Sequence, residues 1–249
     1  MTQTTENVNG GPDPRYPDGT AAARTMIALE GNAAALQRRL PRGWELTPYA
    51  GDDVRGTSLR GANLLVPFHG VYAARAGQSQ PPQVSYIAFV SQVRNQATGE
   101  LGHIHWFTYT EDPAAVPGER GDGTCAGITW SQTSTRQHRG RTQVRESFSA
   151  VSGGGQLRLS LAYQQGGIVT WATAEEPNLA LYAASDPTVV LWYQEDQVLD
   201  VVRSDPLGIN MVSEISLNVQ GELADVFDGT EHIVAVVIQR PYLRQVYVP

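Results

Sequence analysis

Two histidines one residue apart, His103 and His105, stand in the run HIHWFTYT, whose alternating and β-branched residues predict a strand. A period of two sends both imidazoles to one face, together with Phe107 and Tyr109. Such a pair can give and take protons near neutral pH. It can also chelate Zn, Mn or Fe if a third imidazole or a carboxylate converges from another element. His69 and Glu146, each on a predicted strand, and His138 in a predicted loop are the candidates for that third ligand. His-x-His is a short motif, and half-buried histidines hydrogen-bonded within a sheet satisfy it equally well.

A second cluster lies in SQTSTRQHRGRTQVRE, where Arg136, Arg139 and Arg141 accompany His138. Arginine grips a carboxylate with two parallel hydrogen bonds, so Arg136 is the candidate clamp for an acidic substrate, with Arg139 as a further contact. A solvated surface loop reads the same way. Trp130 and the other tryptophans fill a core or line an apolar pocket, with Trp130 and Tyr109 as candidate substrate contacts. Glu195, Asp196, Asp200 and Asp205 read as a surface acidic stretch, and Cys125 as a packing residue. Glu111 and Asp112 open a Gly- and Pro-rich loop, EDPAAVPGERGDG, that reads as a cover or a long surface connection. No Gly-x-Ser-x-Gly elbow, phosphate loop or dinucleotide fingerprint occurs.

The elements that must position these residues are mostly strands. Residues 1–20 are polar and rich in Gly, Pro, Asn and Thr, and read as a flexible tail ahead of one domain over 21–249. RTMIALEG predicts a strand, and Asn32 caps a short helix over AAALQRRL that ends at Pro41 and Gly43. Apolar runs bounded by turn residues then recur: ANLLVPFHGVYAAR, QVSYIAFVSQVR, HIHWFTYT, TQVRESFSAV, QLRLSLAYQ, GIVTWATA, and later QVLDVVRS, SEISLNVQGEL and HIVAVVIQ. NQATGE and the glycines at 153–155 make hairpin links, so antiparallel neighbours are the economical arrangement. The expected class is α+β and β-dominated, a large antiparallel sheet curled into a barrel with a few short peripheral helices. A barrel of this size leaves room for a ligand cavity.

The 18 basic residues are all arginine, so lysine imine chemistry has no residue to run on. A formal net charge of −7 disfavours nucleic-acid partners. The single cysteine excludes an intrachain disulfide framework, and no apolar run approaches the length of a membrane span. A cytoplasmic protein with a small-molecule substrate is the expectation.

The order of elements resembles the acetoacetate decarboxylase-like superfamily. ALEGNAAALQRRLPRGWEL is similar to that family's opening, RESFSAVSGGGQLRLSLAYQQG to its central hairpin, and SEISLNVQGELADVF with VAVVIQRPYLRQVY to its closing strands. The resemblance implies a cone-shaped barrel around a buried pocket, and a homo-oligomer. It also implies decarboxylase, aldolase or dehydratase chemistry through a lysine that would fall within Arg136 to His138, where none of the three residues can form an imine. The strand GANLLVPFHG offers Asn63 and His69 where the family has carboxylates.

Three functions follow as expectations. The first is a lyase-type enzyme for a small carbonyl or carboxylate compound, with His103, His105 and His138 as acid/base groups and Arg136 as clamp. The second is a metal- or haem-dependent oxygenase in the same pocket. The third is a non-catalytic small-molecule-binding protein that kept the pocket after the lysine was lost.

Overall fold

Asn32 stops the first strand and starts the first helix. Its side chain accepts a hydrogen bond from the Ala35 backbone N–H at 3.0 Å, so β1 (Asp18–Glu30) passes directly into α1 (Ala33–Arg39). Leu40 leaves the helix in an extended conformation just before Pro41. This computed structural model describes residues 18–51, 56–74, 83–113, 123–136, 140, 142–175, 179–188 and 190–247. Most of the expected tail and most of the loop over 111–123 lie outside the described residues. β1 begins at Asp18, a little before the expected end of the tail.

The long apolar runs form β3 (Leu64–Ala74), β4 (Gln83–Asn95), β5 (Leu101–Thr110), β11 (Leu179–Ala183), β12 (Val190–Ser204) and β15 (His232–Tyr247). With β1 they close a seven-stranded barrel. Starting at β1, the ring runs through β3, β4, β5, β11, β12 and β15 and back to β1. Six of its seven seams are antiparallel. The seventh, between β5 and β11, is parallel and only three residue pairs long, Leu181 with His103, Tyr182 with Ile104 and Ala183 with His105. The expected sheet is therefore mixed, because the chain between β5 and β11 leaves the barrel to build a second sheet and returns from the other end. β2 (Trp44–Leu46), β6 (Gly123–Cys125), β10 (Ile168–Thr173) and β13 (Ile209–Asn210) add to the edges of barrel strands.

The second sheet has the order β14 (Val212–Gly221), β9 (Gly155–Gln164), β8 (Thr142–Val151), β7 (Gly127–Arg136). Its inner face packs on the outside of the barrel, where Phe68, Phe89, Phe148, Leu159 and Leu161 share one apolar core with α1 residues Ala35 and Leu36. Each of the larger side chains in that core contributes roughly 1.5–3 kcal/mol by leaving water. β7 occupies much of the segment read as a loop. Its residues beyond Trp130 are polar and exposed, and an edge strand needs only backbone pairing with β8, so its side chains carry no apolar alternation to detect. Gly140, at φ +78°, lies in the turn between β7 and β8.

Candidate functional site

Alternation along each barrel strand sorts side chains into an outer set, which meets the second sheet, and an inner set, which encloses a cavity of ≈ 70 Å³. β1 sends Thr25, Ile27 and Leu29 outward and Arg24 and Met26 inward. β3 contributes Leu65, Pro67 and His69 to the interior, β4 contributes Tyr86, Ala88 and Val90, β12 contributes Tyr193 and Glu195, and β15 contributes Arg244. From β5 come His103 and His105, so the predicted histidine pair does face one cavity, and His69 joins it.

Phe107 and Tyr109 do not share that face. Phe89 pairs with Phe107 while the next residue, Val90, pairs with His105, so Trp106 is the extra residue of a β-bulge. The bulge reverses the alternation beyond it. Tyr109 is fully buried against Phe89 and Phe107 in the core between barrel and second sheet, outside the cavity. Thr108 now points inward, and its hydroxyl bonds His105 Nε2. The Phe107 carbonyl lies 3.1 Å from the same nitrogen. A carbonyl only accepts, whereas the Thr108 hydroxyl can accept or donate, so the ring is held by two contacts at one nitrogen.

Tyr49 supplies the partner of His103, its hydroxyl 2.8 Å from Nε2. Tyr49 belongs to the segment between β2 and β3 that plugs one end of the barrel. With Leu59 and Ala62 it is buried on Met26, Ala28, Leu65, Leu199 and Val201. Two backbone hydrogen bonds, Tyr49 to Ala62 and Gly61 to Tyr49, both 2.9 Å, hold the plug together.

The polar half of the chamber is built on two buried arginines. Arg24 bonds Gln239 through Nε and the Gln197 carbonyl oxygen at 3.3 Å, lies 3.8 Å from the Glu195 carboxylate, and stacks on the Tyr242 ring at 3.7 Å. Glu195 also accepts from the Tyr242 hydroxyl at 2.6 Å and from Gln197 Nε2 at 3.2 Å. Arg244 donates to Thr20 at 3.3 Å and to the Tyr86 hydroxyl at 3.4 Å, with its guanidinium 4.4 Å from the Tyr193 ring centre. His69 stacks on Tyr86 at 4.1 Å. Burial, reinforced by the positive fields of Arg24 and Arg244, holds its pKa well below the usual histidine range, so it is neutral at pH 7.

The other predicted residues lie elsewhere. Glu146 is on the inner face of β8, across the barrel wall from the histidines, and cannot complete a metal site with them. It accepts from Thr25 at 2.7 Å, Tyr163 at 3.0 Å and Gln132 at 3.2 Å, and pairs with Arg240. Among the described residues no three His, Cys, Asp or Glu side chains gather in a way that would hold a metal ion. Arg136 ends β7, exposed, and does not line the cavity, so it is not placed as a clamp. Trp130 stacks on Phe148 at 5.7 Å and covers Gly70, again outside the chamber. His138 and Arg139 lie outside the described residues. Cys125 is exposed rather than packed. Glu195, expected in a surface stretch, is inside the barrel, together with Arg24 and Arg244, which were not among the expected site residues. The available signal was parity: Arg24 shares its face with Met26 and Ala28, an unusual place for an unsupported charge.

This is a β-barrel with a small interior chamber, polar on one side and apolar on the other. More specifically, the chain has the acetoacetate decarboxylase-like fold. It superposes on an acetoacetate decarboxylase-like enzyme from Sphingomonas wittichii RW1 with a TM-score of 0.58 and 13% identity, over 100% of this chain and 97% of the other. It is also similar to the enduracididine biosynthesis enzyme MppR, solved with the condensation product of pyruvate and imidazole 4-carboxaldehyde, with a TM-score of 0.52 and 12% identity, over 97% and 90%. No protein-family model matches the sequence, and no curated protein matches it. No helix among the described residues is long and apolar enough to cross a membrane.

Proposed function

We propose that the barrel chamber is the active site of a lyase-type enzyme that acts on a small carbonyl or carboxylate compound without a lysine imine. The observation that supports it is the convergence of His103 and His105 on one cavity with two buried guanidinium groups. Breaking a carbon–carbon or carbon–oxygen bond beside a carbonyl leaves negative charge on oxygen. An imine relieves that charge by moving electrons into a protonated nitrogen. Here fixed positive charge and hydrogen-bond donors in a low-dielectric chamber would take over that role, which requires no reorganisation at the moment of reaction. Arg24 and Arg244 orient and neutralise, the His105 imidazole takes or returns the proton, and Tyr49 holds the His103 ring in place.

The test is a screen of small 2-oxo and 3-oxo acids for carbon dioxide release or carbonyl product, using the full chain and a His105→Ala variant. The variant should remain folded and lose about 10²- to 10⁴-fold in kcat, the range of a positioned acid/base group. Full activity in the folded variant would falsify the assignment. The absence of any lysine favours one second reading, a binding protein that retains the chamber, which predicts a copurifying small molecule and no turnover. Metal analysis of the purified protein addresses the oxygenase alternative, which requires near-stoichiometric iron.

A further inference from the structure

The second sheet leaves part of the barrel's outer surface open. Strand pairing sets Tyr72 of β3 beside Ala21 of β1, Ala21 beside Leu243 of β15, and Leu243 beside Asp196 of β12, so the four side chains make one row on one face. That face is the outer one, because Arg244, the neighbour of Leu243, points into the chamber. Gly19 and Ala21 carry almost no side chain, so β1 becomes the floor of a groove of ≈ 410 Å³, within the size range of small-molecule sites. Its apolar walls are left in water, Tyr72 56% and Leu243 46% exposed. Asp196 is the one charge that the described residues turn outward along it. The side chain is half-buried, and its Oδ1 is buried and bonds no described group, although nearly all buried polar atoms in folded proteins have a partner. Asp200, four residues further on, is by contrast satisfied by the backbone N–H groups of Gly166 and Gly167, both at 2.9 Å.

We propose that this groove is a second binding site, separate from the chamber, for a small organic cation: an ammonium or amidinium group that donates to Asp196 and carries an apolar body laid over Ala21 between Tyr72 and Leu243. A charged donor makes the strongest hydrogen bond to a carboxylate, and it neutralises the charge as it covers the oxygen. Two strand spacings, about 10 Å, separate Ala21 from Asp196, which is the length of an aromatic ring with a short alkylammonium arm. The walls then bury apolar surface on both partners. A second copy of the same face brings no cation to Asp196, and a chain of net charge −7 favours a positive ligand over a negative one. The proposal is independent of what the chamber does.

The test is calorimetric titration of the full-length protein at pH 7.5 with 3-phenylpropylammonium, its uncharged counterpart 3-phenylpropanol, and propylammonium. A hydrogen bond between charged partners predicts that the phenyl ammonium binds about ten- to a hundredfold tighter than the alcohol. Loss of the ring should weaken propylammonium by about tenfold or more. Asp196→Asn keeps the shape and removes the charge, and should bring the phenyl ammonium down to the alcohol's affinity, whereas His105→Ala in the chamber should change neither. Equal binding of ammonium and alcohol overturns the proposal, and that comparison needs no variant to fold. An ammonium preference that survives Asp196→Asn also overturns it, since the cation then sits on another carboxylate, such as Glu195. Failure of all three compounds to bind overturns it as well; if the protein then sediments as an oligomer that Tyr72→Glu takes apart, a second copy covers this face instead.

Discussion

His69 shows how one side chain acquires its properties from its position on a sheet. Position 69 pairs with Arg24 on β1 and with Tyr86 on β4, so the imidazole is flanked by a cation and capped by an aromatic ring. Its proton affinity in the folded state is below that of the unfolded chain. As pH falls below about 6.5 the unfolded chain takes up a proton that the folded one refuses, so stability is lost in that direction, by up to about 1.4 kcal/mol per pH unit from this group. Urea unfolding between pH 7.5 and 5 should show this loss, and His69→Phe should flatten it. An unchanged slope in the variant would mean that another group carries the pH dependence. His69 was visible in the sequence as a strand histidine and a metal candidate. Its neutrality was not, because that depends on two arginines distant in the chain.

At the level of elements, the bulge at Trp106 and the close approach at Gly70 matter most. A regular β5 would have turned Phe107 and Tyr109 into the chamber, where two aromatic rings would fill it. The extra residue redirects them into the core and gives His105 its Thr108 and Phe107 partners. Gly70 lets Trp130 of the second sheet lie on the outer surface of β3; a methyl group there would sit 2.5 Å from the indole. Gly70→Ala should cost about 1–3 kcal/mol in thermal or urea unfolding, the usual penalty for overpacking. A neutral effect would show that the second sheet is free to shift. Helix α1, its Asn32 cap and the longer strands other than β7 were legible from periodicity and turn residues, whereas the short barrel strand β11 was not. The bulge was not, since no residue in HIHWFTYT marks it.

Across the whole molecule, the two sheets are joined by an apolar core that contains, among the described residues, the ionic link between Glu146 and Arg240. Glu146 on the second sheet reaches Thr25 and Arg240 on the barrel, with Tyr163 completing the set. Removing Glu146 leaves a half-buried Arg240 and the buried hydroxyls of Thr25 and Tyr163 without their acceptor. Glu146→Leu alone should therefore cost about 3–5 kcal/mol, and the double change with Arg240→Met distinctly less. A double-mutant cycle by urea unfolding measures the difference; additive losses would show that the pair is not coupled.

Local order in the chain determined which segments became strands, where the first helix starts, that no lysine can act, and that His103 and His105 point the same way. These depend on neighbours within a few residues. Closure of the ring determined what the histidines face, that Arg24, Arg244 and Glu195 meet them, and that Glu146 and Arg136 do not. A residue's side of a strand is a local property, but whether that side is the inside of a barrel depends on which distant strands pair. Here that rests on the three-pair seam between β5 and β11, formed by segments about eighty residues apart.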